Sequence, residues 1–175
     1  MAAETLTGLR AKSNIQPASH GYGSAMYGVW GHYTIAADTE DGDVFEMCWT
    51  PDGFLCLGGW FSAGDLDTGT EAIDIDLGWA ANGTSSQESF VTPWGQTFTD
   101  SGYSASATGL VNSGVLTGDP ITDLMASGLN FRPIVLPTPL WFYKSTKIQL
   151  EANAAAGTFA SASATCCLIG QIIQK

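Results

Sequence analysis

Two histidines, four cysteines and seventeen carboxylates are the side chains in this 175-residue sequence that could do chemistry. Nucleophilic hydrolysis needs a base within reach of its nucleophile. His20 and His32 both fall early in the chain, and neither stands beside a Gly-x-Ser-x-Gly elbow. They read as ordinary surface or interface histidines. A glycosidase needs two carboxylates roughly 5 to 10 Å apart. Asp74 and Asp76 would sit about 7 Å apart on one face of a strand, but any acidic strand produces that spacing. A polysaccharide-degrading enzyme is therefore the least supported class, and no catalytic residue is assigned.

Metal chemistry fares little better. Asp38, Glu40, Asp41 and Asp43 crowd into six residues, and calcium takes several oxygen ligands. The EF-hand register fails, however. With Gly42 in the glycine slot, the first position is Ala37 and the last Cys48, where Asp and Glu are required. Asp65 and Asp67 form a smaller acidic group. Solvated acidic turns explain both, and no metal or cofactor is expected. Cys48 and Cys56 lie eight apart across a turn and could face each other in a hairpin. Cys166 and Cys167 are adjacent and should point to opposite faces of a strand. A zinc site would want two close cysteine pairs or added histidine, so free buried thiols are the expectation.

The aromatic residues, six Trp, five Tyr and eight Phe, are more informative. Tyr22, Tyr27 and Trp30 lie in a segment without periodicity of its own. Large aromatics and arginine anchor interfaces, so these three, with Arg10, Lys12 and Arg132, are the candidate interface residues. Charge is placed unevenly. The net charge is −11, yet residues 13–131 hold no Lys or Arg and fifteen of the seventeen acids. The bases are confined to the two ends, so the sequence reads as an acidic body with ends that attach. Non-specific nucleic-acid binding is disfavoured, because it requires Lys and Arg against phosphate. The start lacks a signal-like apolar run, and no stretch approaches the roughly 20 apolar residues of a membrane span. A cytoplasmic product, or one assembled there, is expected.

These residues need a frame. Residues 1–30 read as an extended N-terminal arm and 31–175 as one domain. Strands are predicted at 33–37, 44–49 and 54–61, the last two as a hairpin about Thr50-Pro-Asp-Gly53. In Glu71–Trp79, Ile73, Ile75, Leu77 and Trp79 alternate with Ala72, Asp74, Asp76 and Gly78, which predicts a half-buried strand. Asp suits strands poorly, so Asp74 and Asp76 must be exposed or bound to something. Residues 80–114 are too long for an ordinary loop. They hold either short strands or a protruding functional loop carrying Phe90, Trp94, Phe98 and Tyr103. Asp119, Pro120, Asp123 and Gly128 predict one short helix. The three prolines of 131–139 confine that segment to an edge, Lys147–Ala152 alternates, and 165–173 closes as a buried strand. The sum is an all-β, jelly-roll-like sandwich with an N-terminal arm and one short helix.

Three stretches carry a resemblance. They are Tyr33-Thr-Ile-Ala-Ala37 with the strands to Phe61 and the run Asp65–Gly83; Leu116-Thr-Gly-Asp-Pro-Ile-Thr-Asp-Leu124; and Ile148–Phe159. In word order and texture the chain resembles small virion structural proteins of tailed bacteriophages, over roughly residues 30–170. The resemblance implies a head decoration, or cement, protein without catalysis, often trimeric. Its partner would be the major capsid protein and its place the capsid exterior, after assembly in the host cytoplasm. No nucleic acid or membrane partner is implied. The alternative is a tail- or fibre-associated module whose 80–114 aromatics stack on host surface glycans.

Overall fold

The computed structural model describes residues 5–7, 26–36, 38–64, 66, 73–92, 95–111, 132–155 and 157–173; for 5–7 and Arg132 it describes the backbone alone. Arg10, Lys12, Tyr22, Trp94 and the predicted helix at 119–128 lie outside the described residues. The chain forms β1 (Thr5–Thr7), β2 (Tyr27–Ile35), β3 (Val44–Trp49), β4 (Phe54–Ala63), β5 (Asp74–Trp79), β6 (Ser89–Val91) and β7 (Thr97–Thr99). After a single 3-10 turn (Ser101–Tyr103) follow β8 (Ser106–Val111), β9 (Arg132–Ile134), β10 (Leu140–Phe142), β11 (Lys147–Ala154) and β12 (Ala162–Ile172). One sheet runs β1-β3-β11-β5-β8 and the other β10-β4-β12-β2, with β9 also paired to β4. The two sheets face each other as an all-β sandwich, and β6 and β7 form a separate small ribbon. Among the described residues no helix is long and apolar enough to cross a membrane.

Alternation builds the core. In β11, Ile148, Leu150 and Ala152 are fully buried while Lys147, Gln149 and Glu151 stand on the other face. Facing them from the second sheet are Val29, Phe54, Cys56, Phe61, Cys166 and Leu168, all in the same apolar cluster. Each fully buried side chain of this size stabilises the fold by about 1.5–3 kcal/mol. β5 inserts Ile75 and Leu77 into the cluster, as its alternation predicts. Its other face is not simply exposed, because Asp76 is buried against Asn153.

Two expectations change. β3 and β4 occupy the predicted residues but do not pair as a hairpin. β3 pairs with β11 and β1 in one sheet, and β4 with β12, β10 and β9 in the other. The turn between them arches across the sandwich instead. Its backbone groups bond outside the arch: Thr50 N–H to Thr146, Gly53 N–H to Tyr143, and Ile173 N–H to Gly53. Gly53 adopts φ +71°, and a Cβ there would come within 2.4 Å of the Ile173 carbonyl oxygen. Only glycine suits both conditions.

The second change is at β2, which begins at Tyr27 and so takes Tyr27 and Trp30 out of the irregular lead-in. Its inward row is Val29, Gly31, Ile35, and the gap in that row is a matter of space. A Cβ on Gly31 would stand 2.8 Å from Met47 Cβ, 2.9 Å from Cys166 Sγ and 3.1 Å from Cys48 Sγ. Three residues of the expected arm form β1, laid parallel to β3 with Thr5 opposite Val44.

Candidate binding surface

Of the two carboxylates that the sequence offered for catalysis, Asp76 is part of the framework. Asp76 Oδ2 accepts a hydrogen bond from Asn153 Nδ2 at 2.6 Å. Glu46 pairs with Lys147, whose Nζ also lies 5.1 Å above the Trp49 ring. In the acidic turn, Asp43 Oδ2 accepts from the Glu40 N–H at 2.9 Å and closes the turn upon itself. Among the described residues no three His, Cys, Asp or Glu side chains converge to hold a metal ion. Asp52 caps the start of β11's approach, taking the Ser145 N–H at 2.7 Å and Lys144 Nζ at 3.3 Å. Thus Lys144 and Lys147, two of the bases expected at an attaching end, are engaged within the chain.

The thiols are free and buried. Cys48 and Cys56 stand on different sheets, so the expected facing pair across a hairpin does not exist. Burial pushes the Cys56 thiol up to about 12 and the Cys167 thiol up to about 11. Both stay protonated at neutral pH, which makes them poor nucleophiles.

The described residues of the 80–114 segment form β6, β7, the 3-10 turn and β8. Phe90 and Phe98 stack on each other at 5.3 Å, and Phe90 meets Trp141 edge-on at 4.7 Å. Phe98, Trp141 and Leu55 form a second small core on the outer side of β4 and β10. Two of the aromatic faces proposed for glycan stacking are therefore spent inside the molecule. Tyr103 remains exposed.

Beyond that cover, the outer side of the second sheet exposes large apolar side chains among the described residues. Trp30 lies opposite Cys167, which lies opposite Trp60, which lies opposite Pro133. The neighbouring row runs Gly28, Ile169, Gly58. Trp30 and Trp60 meet edge to face at 5.1 Å and 79°. The Trp30 indole leans over Gly28, where a Cβ would be 3.1 Å from Nε1. Trp30 is 45% exposed and Val135, just after β9, 79%. Of the seven exposed large apolar side chains among the described residues, five belong here: Met26, Trp30, Leu57, Val135 and Ile169. Single exposed apolar residues are ordinary, but a contiguous group is the mark of an interaction surface.

The strands beneath this surface carry no acid. Not one Asp or Glu occurs in β2, β4, β9, β10 or β12. On the opposite sheet, Glu46, Asp74, Asp76 and Glu151 stand with the single base Lys147. The outer side of the second sheet carries no carboxylate on its strands; it is apolar around Trp30, Trp60 and Ile169 and polar where His32 meets Thr165 and Thr34 meets Ser163.

Of the sequence-predicted interface residues, Trp30 stands on the apolar face, while Tyr27 packs against the main core. Arg132 is placed in β9 opposite Phe61. The sequence reading missed Leu57, Ile169, Met26 and Val135. The apolar run through Ile169 reads as wholly buried, and only its register to Gly28 and Gly58 shows that one side chain in it faces outward.

No family model matches the chain, and no curated protein does. Solved structures do share the fold. A chain from the cyanophage Pam1 capsid asymmetric unit superposes with a TM-score of 0.61 at 18% identity, covering 91% of this chain and 93% of that one. A chain from the capsid of Ralstonia phage GP4 superposes with a TM-score of 0.51 at 13% identity, covering 97% of this chain and 99% of the other.

Proposed function

We propose that the chain is a structural protein of a tailed-phage virion that decorates and cements the capsid from outside, binding major capsid protein subunits as a homotrimer and catalysing nothing. The observation that carries the reading is the shared fold, which extends over nearly the full length of both chains in each comparison. A whole-length match leaves little of this chain outside the common body.

The strand order supports the finer fold as well. From β2 to β5 the chain visits the two sheets alternately. It stays in the first sheet for β8, then takes β9 and β10 in the second, β11 in the first and β12 in the second. That winding, with β2-β12-β4-β10 facing β3-β11-β5-β8, supports the jelly-roll reading, a fold common in viral shells. The chemistry agrees with a passive role. The carboxylates of Asp43, Glu46 and Asp76 hold strands and turns together, and an excess of acid keeps the body off packaged nucleic acid.

The interface with the capsid or with neighbouring subunits is assigned to Arg10, Lys12 and Tyr22 of the N-terminal segment, to Tyr27 and Trp30 of β2 and to Arg132 of β9. β2 starts at Tyr27, so the test removes residues 1–25; this takes β1 from the edge of β3, and circular dichroism and the melting temperature establish that the truncated chain keeps its fold. Shells lacking the protein are incubated with the full chain or with the truncated one, and bound protein is imaged. The reading expects density outside the shell at its local three-fold axes for the full chain, and reduced occupancy for the truncated one. Density confined to the tail, or none on the shell, would overturn it.

A further inference from the structure

We infer that the outer face of the second sheet is the surface through which one copy of this chain packs on another. The inference deepens the oligomeric part of the reading above and rests on it. Electrostatics favours this face as much as apolar contact does. Two copies each carry a formal charge of −11, so most mutual orientations bring like charges together, at a cost that rises as the surfaces desolvate. On the first sheet Glu46 and Asp76 are buried and bonded to Lys147 and Asn153, which leaves Asp74 and Glu151 as its half-exposed carboxylates. The strands of the second sheet offer no acid at all. It is the sheet face on which two acidic chains can meet without facing carboxylates.

The face is also built to be covered. Interfaces centre on aromatic anchors surrounded by apolar contact, and here the Trp30–Trp60 pair is bordered by Leu57, Ile169 and Val135. Gly28 and Gly58 flank Ile169 in its cross-strand row. Both glycine positions are filled by neighbours, Gly28 by the leaning Trp30 indole and Gly58 by the Ile134 carbonyl, so Ile169 stands beside the indole in a closed apolar surface. The hairpin of β6 and β7 already covers the far end of the same sheet with Phe90 and Phe98, so the open part is bounded rather than continuous with the whole sheet.

The experiment measures the mass of the full-length chain in solution by sedimentation over a concentration series. It includes Trp30→Lys, Ile169→Asp and Val135→Lys, with Glu151→Lys as a control on the other sheet. Far-UV circular dichroism and the melting temperature identify any variant that fails to fold. Val135 lies beyond the end of β9, so its substitution leaves every strand intact. The wild type and Glu151→Lys are expected as oligomers. The face variants should weaken association on the order of 30-fold or more. A wild-type chain that stays single, or folded face variants that keep the wild-type mass, would sink the inference. Binding to protein-free shells is measured in parallel. Face variants that lose shell binding but keep their mass would assign the face to the shell, overturning self-contact and sparing decoration. Variants that fall to single chains, in a protein whose wild type never binds shells, would sustain self-contact and remove decoration.

Discussion

Asp100 is 1% exposed, and its carboxylate is occupied on both oxygens. Oδ1 accepts from the Gly102 N–H at 3.0 Å and the Tyr143 N–H at 3.1 Å, and Oδ2 accepts from Asn82 Nδ2 at 2.8 Å. Those donors come from the 3-10 turn, the residue after β10 and the loop after β5, so one side chain ties three segments together. Asp100→Ala would bury three donors without acceptors, each costing roughly 1–3 kcal/mol less whatever relaxation recovers. A net loss of about 3 kcal/mol is expected from urea unfolding. Asp100→Asn should cost less, about 1–2 kcal/mol, because its carbonyl still serves the two backbone donors. It cannot be free of cost, since its amide then faces the Asn82 amide. Asn82 is held from turning over by Oδ1, which accepts from the N–H and hydroxyl of Thr84. Equal losses in the two variants would show that the acceptor role is not what Asp100 supplies.

The β6–β7 ribbon is too small to stand alone, since isolated two-strand ribbons are marginal in water. Its stability comes from the apolar seat it covers: Leu55 and Trp141 beneath, Phe90 and Phe98 above. Phe98→Ala removes the stacking partner of Phe90 and should cost about 2–4 kcal/mol. The loss should be local. Amide exchange should speed up in residues 89–99 and stay slow in β11, and Trp141 emission should shift to the red as water reaches its ring. Slow exchange in the ribbon after the substitution would mean that something else holds it. This element also shows where sequence reading stops. β5 and β11 are legible because strict alternation survives in the side chains themselves, Ile75 and Leu77 in one, Ile148, Leu150 and Ala152 in the other. The arch at 50–53 is not legible as an arch. Pro51 and Gly53 suit a hairpin equally, and the choice is made by hydrogen bonds to residues 143, 146 and 173, far along the chain. β2 is hidden for a different reason: at Gly31 the periodic residue is absent because Met47, Cys48 and Cys166 fill its space. Trp30 stood out as an interface residue because exposing an indole is costly. Ile169 and Leu57 did not, because outward and inward positions in a continuous apolar run look alike until register is known.

Across the whole molecule the uneven charge takes on a spatial meaning. Among the described residues the acids lie on the first sheet, on the turn at 38–43, on the arch and beside the β6–β7 ribbon, and the strands of the second sheet carry none. Two of the bases near the C-terminal end are tied to Asp52 and Glu46, so attachment by apolar contact gains weight against attachment by those lysines. The two modes respond oppositely to salt. Contact through a basic segment weakens as ions screen it, whereas apolar contact between chains of −11 strengthens, because the screened force is repulsive. Acid acts in the same sense as salt. Lowering the pH from 7 toward the isoelectric point near 4.2 protonates carboxylates and brings the net charge toward zero, which removes the repulsion between copies. Self-association followed by light scattering should therefore tighten as the pH falls through the carboxylate range, from about pH 5 to the isoelectric point near 4.2, at low ionic strength. The same tightening should follow from adding salt at pH 7, and at high salt the pH effect should shrink. Ile169→Asp should abolish the response under both treatments, since it puts charge where the copies meet. Association that loosens with salt would mean that oppositely charged surfaces join the copies, and the neutral sheet would then be left without that role.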